Sequence, residues 1–348
     1  MDEQLARRIV REDLATVSPI VTLSRDGLVL IALGWNVDRP PAYDTAATAT
    51  AQGGLELHES GSGTVPTVEV VVGTKPVVLF AGDTIVGGKQ NRVINVSVWL
   101  AAAKTTSIPV SCLEAGRWNQ GYRFETGRKL DYAFRAAMNQ QVYERTRAER
   151  DTPAAGPDAS GSRQRPSYAA DQGALWNEIS ARQARAAVHS PTAALHDVYE
   201  HEEVDLASFV GAFPCPAGAT GVAVGIGGHL VALELFDSTT TFVEQWPRLV
   251  EGAASTYVDH RRAVTAGLQP APRHRYPDQD ALERLLRRAK VALDDAVAGP
   301  SVGEGLDVRL RGERVYGAAL IVADRTVHLE LFRVGARSRG HGSGLSLA

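Results

Sequence analysis

Cysteine is almost missing from this chain: Cys112 and Cys215 are the only two. That is too few for a disulfide scaffold or a cysteine zinc site, and no His or Asp cluster shows ligand spacing, so no metal is expected. Long apolar runs are missing too. The longest uncharged apolar stretch, Val93 to Ala103, is interrupted by Asn95 and Ser97, far short of the ~18 residues that cross a bilayer. The opening MDEQLARRIV has two acids and no apolar core, so no secretory signal is read and a cytoplasmic location is expected. Charge of one sign is also scarce. Lys and Arg number 37 against 40 Asp and Glu, a net charge of −3, which argues against a dedicated nucleic-acid binder. What remains is a 348-residue globular chain, 44% hydrophobic, long enough for about two domains at ~150 residues each.

The first stretch, to about Trp118, reads as β structure. Ile20 to Ser24, Leu28 to Trp35, Leu55 to His58, Val68 to Val72 and Val77 to Phe80 are short apolar or alternating runs. Gly, Pro, Asp and Ser punctuate them, as in a sandwich or barrel. From Lys129 the period lengthens: Leu130, Phe134, Met138 and Val142 form one helical stripe to about Arg147. Residues 148–170 are rich in Pro, Gly, Ser and charge and read as a disordered linker, because they cannot bury enough apolar surface to offset their ordering entropy. The tail 336–348 reads likewise.

Beyond the linker, helices are expected from Ser190-Pro191, from the Thr241-x-x-Glu244 capping box and from Asp278. Pro247 is expected to kink the second. An internal repeat stands among them: GVAVGIGGHLVALELF at Gly221 to Phe236 and GAALIVADRTVHLELF at Gly317 to Phe332. Each reads as a β-hairpin, turning at Gly227-Gly228 and at Ala323-Asp324. Together they suggest a duplicated unit sharing one mixed sheet, with a chance likeness as the alternative. The expected class is α+β: a β-sandwich or barrel-like domain over 1–125, a connecting helix over 126–147, the linker, and a mixed domain over 171–335 with two repeated hairpins.

Several motif-like strings fail on their physics. The GIGG run lacks dinucleotide spacing and is followed by a strand, so no helix N-terminus meets a phosphate. Gly82 to Gln90 has its Lys one place late for a P-loop, with Gln90 where Ser or Thr would hold magnesium. His196 and His201 lie five apart and diverge around a helix. His196 and Glu200 instead suit a solvated pair. His58, between Glu56 and Glu59 on a strand, reads as a surface residue.

The informative segment is Asp83 to Trp118. Lys89, Gln90, Asn91 and Arg92 follow Gly87-Gly88, and Glu114, Arg117 and Trp118 close the stretch. An antiparallel pairing about the Ala101 to Thr105 loop puts Ile94 opposite Cys112, Val96 opposite Val110, Val98 opposite Ile108 and Arg92 opposite Glu114. Only registers that keep the two faces in phase are consistent. The expected Arg92–Glu114 pair has two readings: a structural salt bridge, or the floor of a pocket with Lys89, Asn91 and Arg117 around it and Trp118 as a stacking wall. Cys112 on the inner face reads as a buried, inert thiol.

PVVLFAGDTIVGGKQNRVINVSVW followed by IPVSCLEAGRW resembles the ADP-ribosylglycohydrolase- and rhodanese-phosphatase-associated protein domain family. Lys89 to Arg92 match its KQNR run; Cys112, Glu114, Gly116, Arg117 and Trp118 match its CxExGRW end. Asp83 stands where Glu is commoner. The GSGTVP, LHDVYE and LFD strings extend the likeness over residues 10–335. The resemblance implies a place in ADP-ribose or NAD metabolism, with no activity attached to the domain itself. Two readings follow. In one, the chain binds or processes a small phosphorylated nucleotide: Lys89, Arg92 and Arg117 meet phosphates, Gln90 and Asn91 a ribose, Trp118 a base, and Asp83 or Glu114 serves as general base. In the other, it is a non-enzymatic interaction module for an ADP-ribose-processing enzyme. No cofactor is expected in either.

Overall fold

The computed structural model describes residues 2–35, 40–60, 66–117, 121–151, 167–270 and 276–334. Its frame is one eight-stranded sheet, antiparallel throughout rather than mixed. In space the strands run Ser18–Arg25, Leu28–Gly34, Gly221–Ile226, His229–Phe236, then Arg325–Arg333, Val315–Val322, Leu306–Gly312 and Val297–Pro300. The order reads alike from either end. The two LELF strands are the central neighbours, with Glu234 opposite Glu330.

Both repeat hairpins form where the sequence places them. Gly227, Gly228, Ala323 and Asp324 all have positive φ, the backbone of the tight turns whose twist matches that of paired strands. Both hairpins carry an irregularity at the same repeat position, Val224/Gly225 and Leu320/Ile321. The structural repeat extends further than the strings show. Helix Glu3–Thr16 precedes the hairpin 18–34, and helix Gln279–Ala292 precedes the hairpin 297–312. Each half of the sheet is thus one helix followed in sequence by four strands.

In the first half the chain leaves the sheet after Gly34 and returns at Gly221. The excursion contains a closed six-stranded barrel: Thr105–Cys112, Thr67–Val72, Leu55–Glu59, Arg123–Lys129, Asp83–Gly87 and Arg92–Ile94. Alternating Val68, Val70, Ile94, Ile108 and Val110 fill it, as a period-two pattern requires. The boundary expected at 125 is crossed by hydrogen bonds, since Leu28–Gly34 pairs with Gly221–Ile226.

Helix Tyr132–Asp151 follows the barrel, after a last strand that continues to Lys129. The expected linker falls mostly, and the expected tail wholly, outside the described residues. Two helix starts differ from expectation. Ser190 Oγ accepts the Ala194 N–H at 2.8 Å, but it closes a turn, and helices run over Leu195–His201 and Glu203–Ala212. The long helix Thr239–Thr265 is capped by Ser238, with Thr241 inside it. Glu244 bonds Thr45 instead of closing a capping box. Asp278 does cap its helix, accepting from Ala281.

Candidate functional site

Strands 92–94 and 105–112 pair two residues away from the expected register: Ile94 faces Val110, Val93 faces Ser111 and Arg92 faces Cys112. That slip preserves the faces, so the apolar pattern alone did not exclude it. Val98–Leu100 leaves this pairing for a three-stranded sheet with Val77–Leu79 and Asp44–Thr45. The Arg92–Glu114 pair therefore does not form. Arg92 is fully buried, its Nη2 3.3 Å from both Glu59 oxygens and its Nη1 2.7 Å from Cys112 Sγ. Glu114 accepts instead from Arg117 Nε at 2.8 Å.

Arg117 is a knot at the barrel rim. Its Nη2 donates to Asn91 Oδ1 at 2.9 Å and the Gly87 carbonyl at 3.2 Å, and its Nη1 to the Gly88 carbonyl at 3.4 Å. Asn91 Oδ1 also accepts the Gly87 N–H, and the Asn91 N–H reaches Glu114. Gln90 Nε2 lies 3.5 Å from the Ala115 carbonyl. The Lys89 N–H donates to Glu59 Oε1 at 2.7 Å. The turn is sterically fixed: Gly88 has φ +50°, and a Cβ there would lie 2.3 Å from the Phe124 ring. So Lys89, Gln90, Asn91, Arg92, Glu114 and Arg117 converge, mostly buried and bonded to protein groups. Trp118 lies outside the described residues.

Two members were missed in the sequence. Glu59 anchors Arg92 and the Lys89 amide. Gln172, distant in sequence, accepts the Cys112 N–H and donates to the Cys112 carbonyl, each at 2.8 Å, standing in for a strand partner. Burial pushes the Cys112 thiol up despite the Arg92 guanidinium beside it.

Asp83 sits elsewhere, in a buried ionic layer between barrel, sheet and helices. Burial raises its carboxyl, but Arg248 at 3.3 Å and Lys129 at 3.5 Å outweigh that and hold it below the usual range. Glu234 in the same layer is likewise buried, yet Arg135 at 2.7 Å and Lys129 at 3.3 Å hold it well below its ordinary value. Arg135 spans the two repeated glutamates, reaching Glu330 at 2.8 Å. His328 joins Glu234 Oε1 at 3.0 Å to Ser97 Oγ at 2.8 Å. This hydroxyl–imidazole–carboxylate row is sealed by Phe80 and Phe236 against the imidazole. It ties the barrel side to the sheet. The repeated glutamates were visible as sequence; their shared partner Arg135 was not.

Among the described residues the rim carries an exposed aromatic ring beside the knot. Tyr122 is 55% exposed and lies flat on His58, ring centroids 5.0 Å apart at 22°. His58 is buried beneath it rather than on the surface, with Nε2 3.0 Å from Glu56. Clefts of about 550 and 420 Å³ lie elsewhere, one by Lys104, Ser107 and Glu304, one by Arg185, Arg261 and Arg262; neither includes a residue of the knot. Among the described residues no His, Cys, Asp or Glu group has metal-holding geometry, and no helix is long and apolar enough to cross a membrane.

A family model described as the ARG and Rhodanese-Phosphatase-superfamily-associated Protein domain matches residues 17–332. No match to the chain was found among curated proteins or among solved structures.

Proposed function

The chain belongs to the ARG and Rhodanese-Phosphatase-superfamily-associated Protein domain family, and from that premise we propose that it is a nucleotide-recognition component of ADP-ribose processing that binds without hydrolysing. The family name supports the association with ADP-ribosylglycohydrolase and rhodanese-phosphatase enzymes. The observation that carries the binding part is the barrel rim, where a quarter-exposed guanidinium, Arg117, bonds the Gly87-Gly88 turn against which Gly121 packs, next to the exposed Tyr122 on its buried His58. A fixed cation and an aromatic face suit a phosphate and a base. Lys89 stands in the same turn and Asn91 beneath it. The non-hydrolytic part follows from the carboxylates: Asp83 and Glu114 are both buried and ion-paired, so neither is placed to take a proton from water.

The test is thermal unfolding against ADP-ribose, NAD, AMP and ribose phosphates. A ligand at a hundred times its dissociation constant adds ~2.7 kcal/mol, a shift of a few degrees. A shift with the nucleotides is the expected result.

A second reading, the non-enzymatic interaction module, is favoured by the internal bonding of the knot: Arg92, Asn91, Glu114 and Arg117 each bond protein partners. Glu114 bridges to Ala194, and the Gly116 N–H donates to the Thr192 carbonyl at 2.7 Å, so the knot also fastens the barrel to the later helices. No shift with any nucleotide, together with capture of a purified ADP-ribosylglycohydrolase-class enzyme, would move the account to this reading.

A further inference from the structure

We infer that Tyr122, seated on His58, is the platform on which the base of the nucleotide stacks; this rests on the nucleotide reading above. Exposed tyrosine is common, but this one is built in. Its lower face is covered by the imidazole, parallel to within 22°, so its upper face is presented at little cost in side-chain freedom. The imidazole is held by Glu56 at 3.0 Å. The backbone is held as firmly: the Tyr122 carbonyl accepts the Glu59 N–H at 3.0 Å, and the Arg123 carbonyl accepts the Gly88 N–H at 2.8 Å.

The platform is also fixed relative to the cation. A Cβ on Gly121 would lie 2.4 Å from the Gly88 carbonyl oxygen, the oxygen to which Arg117 Nη1 donates at 3.4 Å. Gly121, the residue before Tyr122, thus packs against the same carbonyl that Arg117 bonds, so the aromatic ring and the guanidinium are anchored to one turn. A planar heteroaromatic ring joined through a sugar to a phosphate matches that pairing; a sugar phosphate without a base does not. Stacking on an aromatic ring tolerates any base, so the platform sets the class of ligand, and a base-by-base preference is not expected from it.

The experiment uses the whole chain and isothermal titration with AMP and with ribose 5-phosphate, repeated on Tyr122→Ala and Tyr122→Phe. AMP is expected to bind at least about tenfold more tightly than ribose 5-phosphate, the order of one base stack. Tyr122→Ala is expected to erase that difference and Tyr122→Phe to keep it. The melting temperature without ligand should stay within about a degree for Tyr122→Phe and fall by no more than a few degrees for Tyr122→Ala, which loses one aromatic pair. If AMP binds wild type and Tyr122→Ala equally, the platform is overturned while the nucleotide reading stands. If neither AMP nor ribose 5-phosphate binds wild type, the nucleotide reading falls and takes the platform with it.

Discussion

Replacing Arg135 by Met removes the guanidinium that joins the two halves of the eight-stranded sheet. Arg135 is 3% exposed, and its two amino groups bond Glu234 at 2.7 Å and Glu330 at 2.8 Å. The loss falls unevenly. Glu234 keeps Lys129 at 3.3 Å, the Tyr132 hydroxyl at 3.2 Å and His328 at 3.0 Å. Among the described residues Glu330 keeps the Asn139 amide at 3.0 Å and no cation within salt-bridge distance. Breaking a buried pair costs about 3–5 kcal/mol, and at about 2–4 °C per kcal/mol the melting temperature should fall by roughly 6 °C or more. The deficit should depend on pH. In wild type the folded Glu234 carboxyl lies below its unfolded value, so its contribution is full above that value and fades as pH falls through the folded one. In the variant, uptake of a proton relieves the stranded buried charge, so the gap from wild type should narrow from pH 7 towards pH 4.5. A double variant, Arg135→Met with Glu330→Gln, should recover much of the loss, because the carboxylate left without a cation is removed with its partner while Glu234 keeps Lys129. Thermal melts of the three proteins at both pH values check this. A variant as stable as wild type at pH 7, or a deficit flat with pH, would refute the reasoning.

Gly88→Ala places a Cβ against the Phe124 ring at a φ of +50° and should cost about 1–3 kcal/mol, read as a lower urea midpoint with an unchanged slope. Arg117→Ala leaves the buried Glu114 without its cation and should lower stability by at most about 1–3 kcal/mol, less to the extent that Arg117 is solvent-screened; a melt unchanged within error would mean that the knot is not structural. Cys112 is buried with a raised thiol, so iodoacetamide at pH 7.5 should leave it unmodified in native protein and alkylate it in urea, as judged by peptide mass. Rapid native alkylation would contradict its placement.

What was legible in the sequence was local. The repeat hairpins turn at Gly227-Gly228 and Ala323-Asp324 because those short turns are set by neighbouring residues, and the alternating runs around Val70 and Val110 mark strands of a sandwich or barrel without choosing between them. Partner choice was not local. A two-residue slip leaves the pattern of Ile94, Val110 and Cys112 intact, and only Glu59, on another strand, shows why Arg92 turns from Glu114. Gln172 carries no motif of its own; its role appears only when its amide brackets Cys112. In the hairpin 18–34 a mostly exposed strand precedes a continuously apolar, buried one, and nothing in it announces that its other neighbour in the sheet begins at Gly221. The candidate site was legible as a set of residues and not as an arrangement: Lys89 to Arg92 meet Glu114 and Arg117 at one rim, while Asp83 goes to the ionic layer around Glu234. Tyr122 escaped notice and His58 was read as a surface residue, because stacking between residues so far apart in sequence leaves no spacing to read.

The central claim is that the chain holds a phosphorylated nucleotide at the barrel rim and leaves it intact. Calorimetric titration of ADP-ribose into the whole protein, followed by mass analysis of the recovered ligand, tests both halves at once. The account predicts saturable binding, weakened by Arg117→Lys, with ADP-ribose recovered unchanged. Absence of heat at millimolar ligand, or recovery of AMP and ribose 5-phosphate in its place, would contradict it.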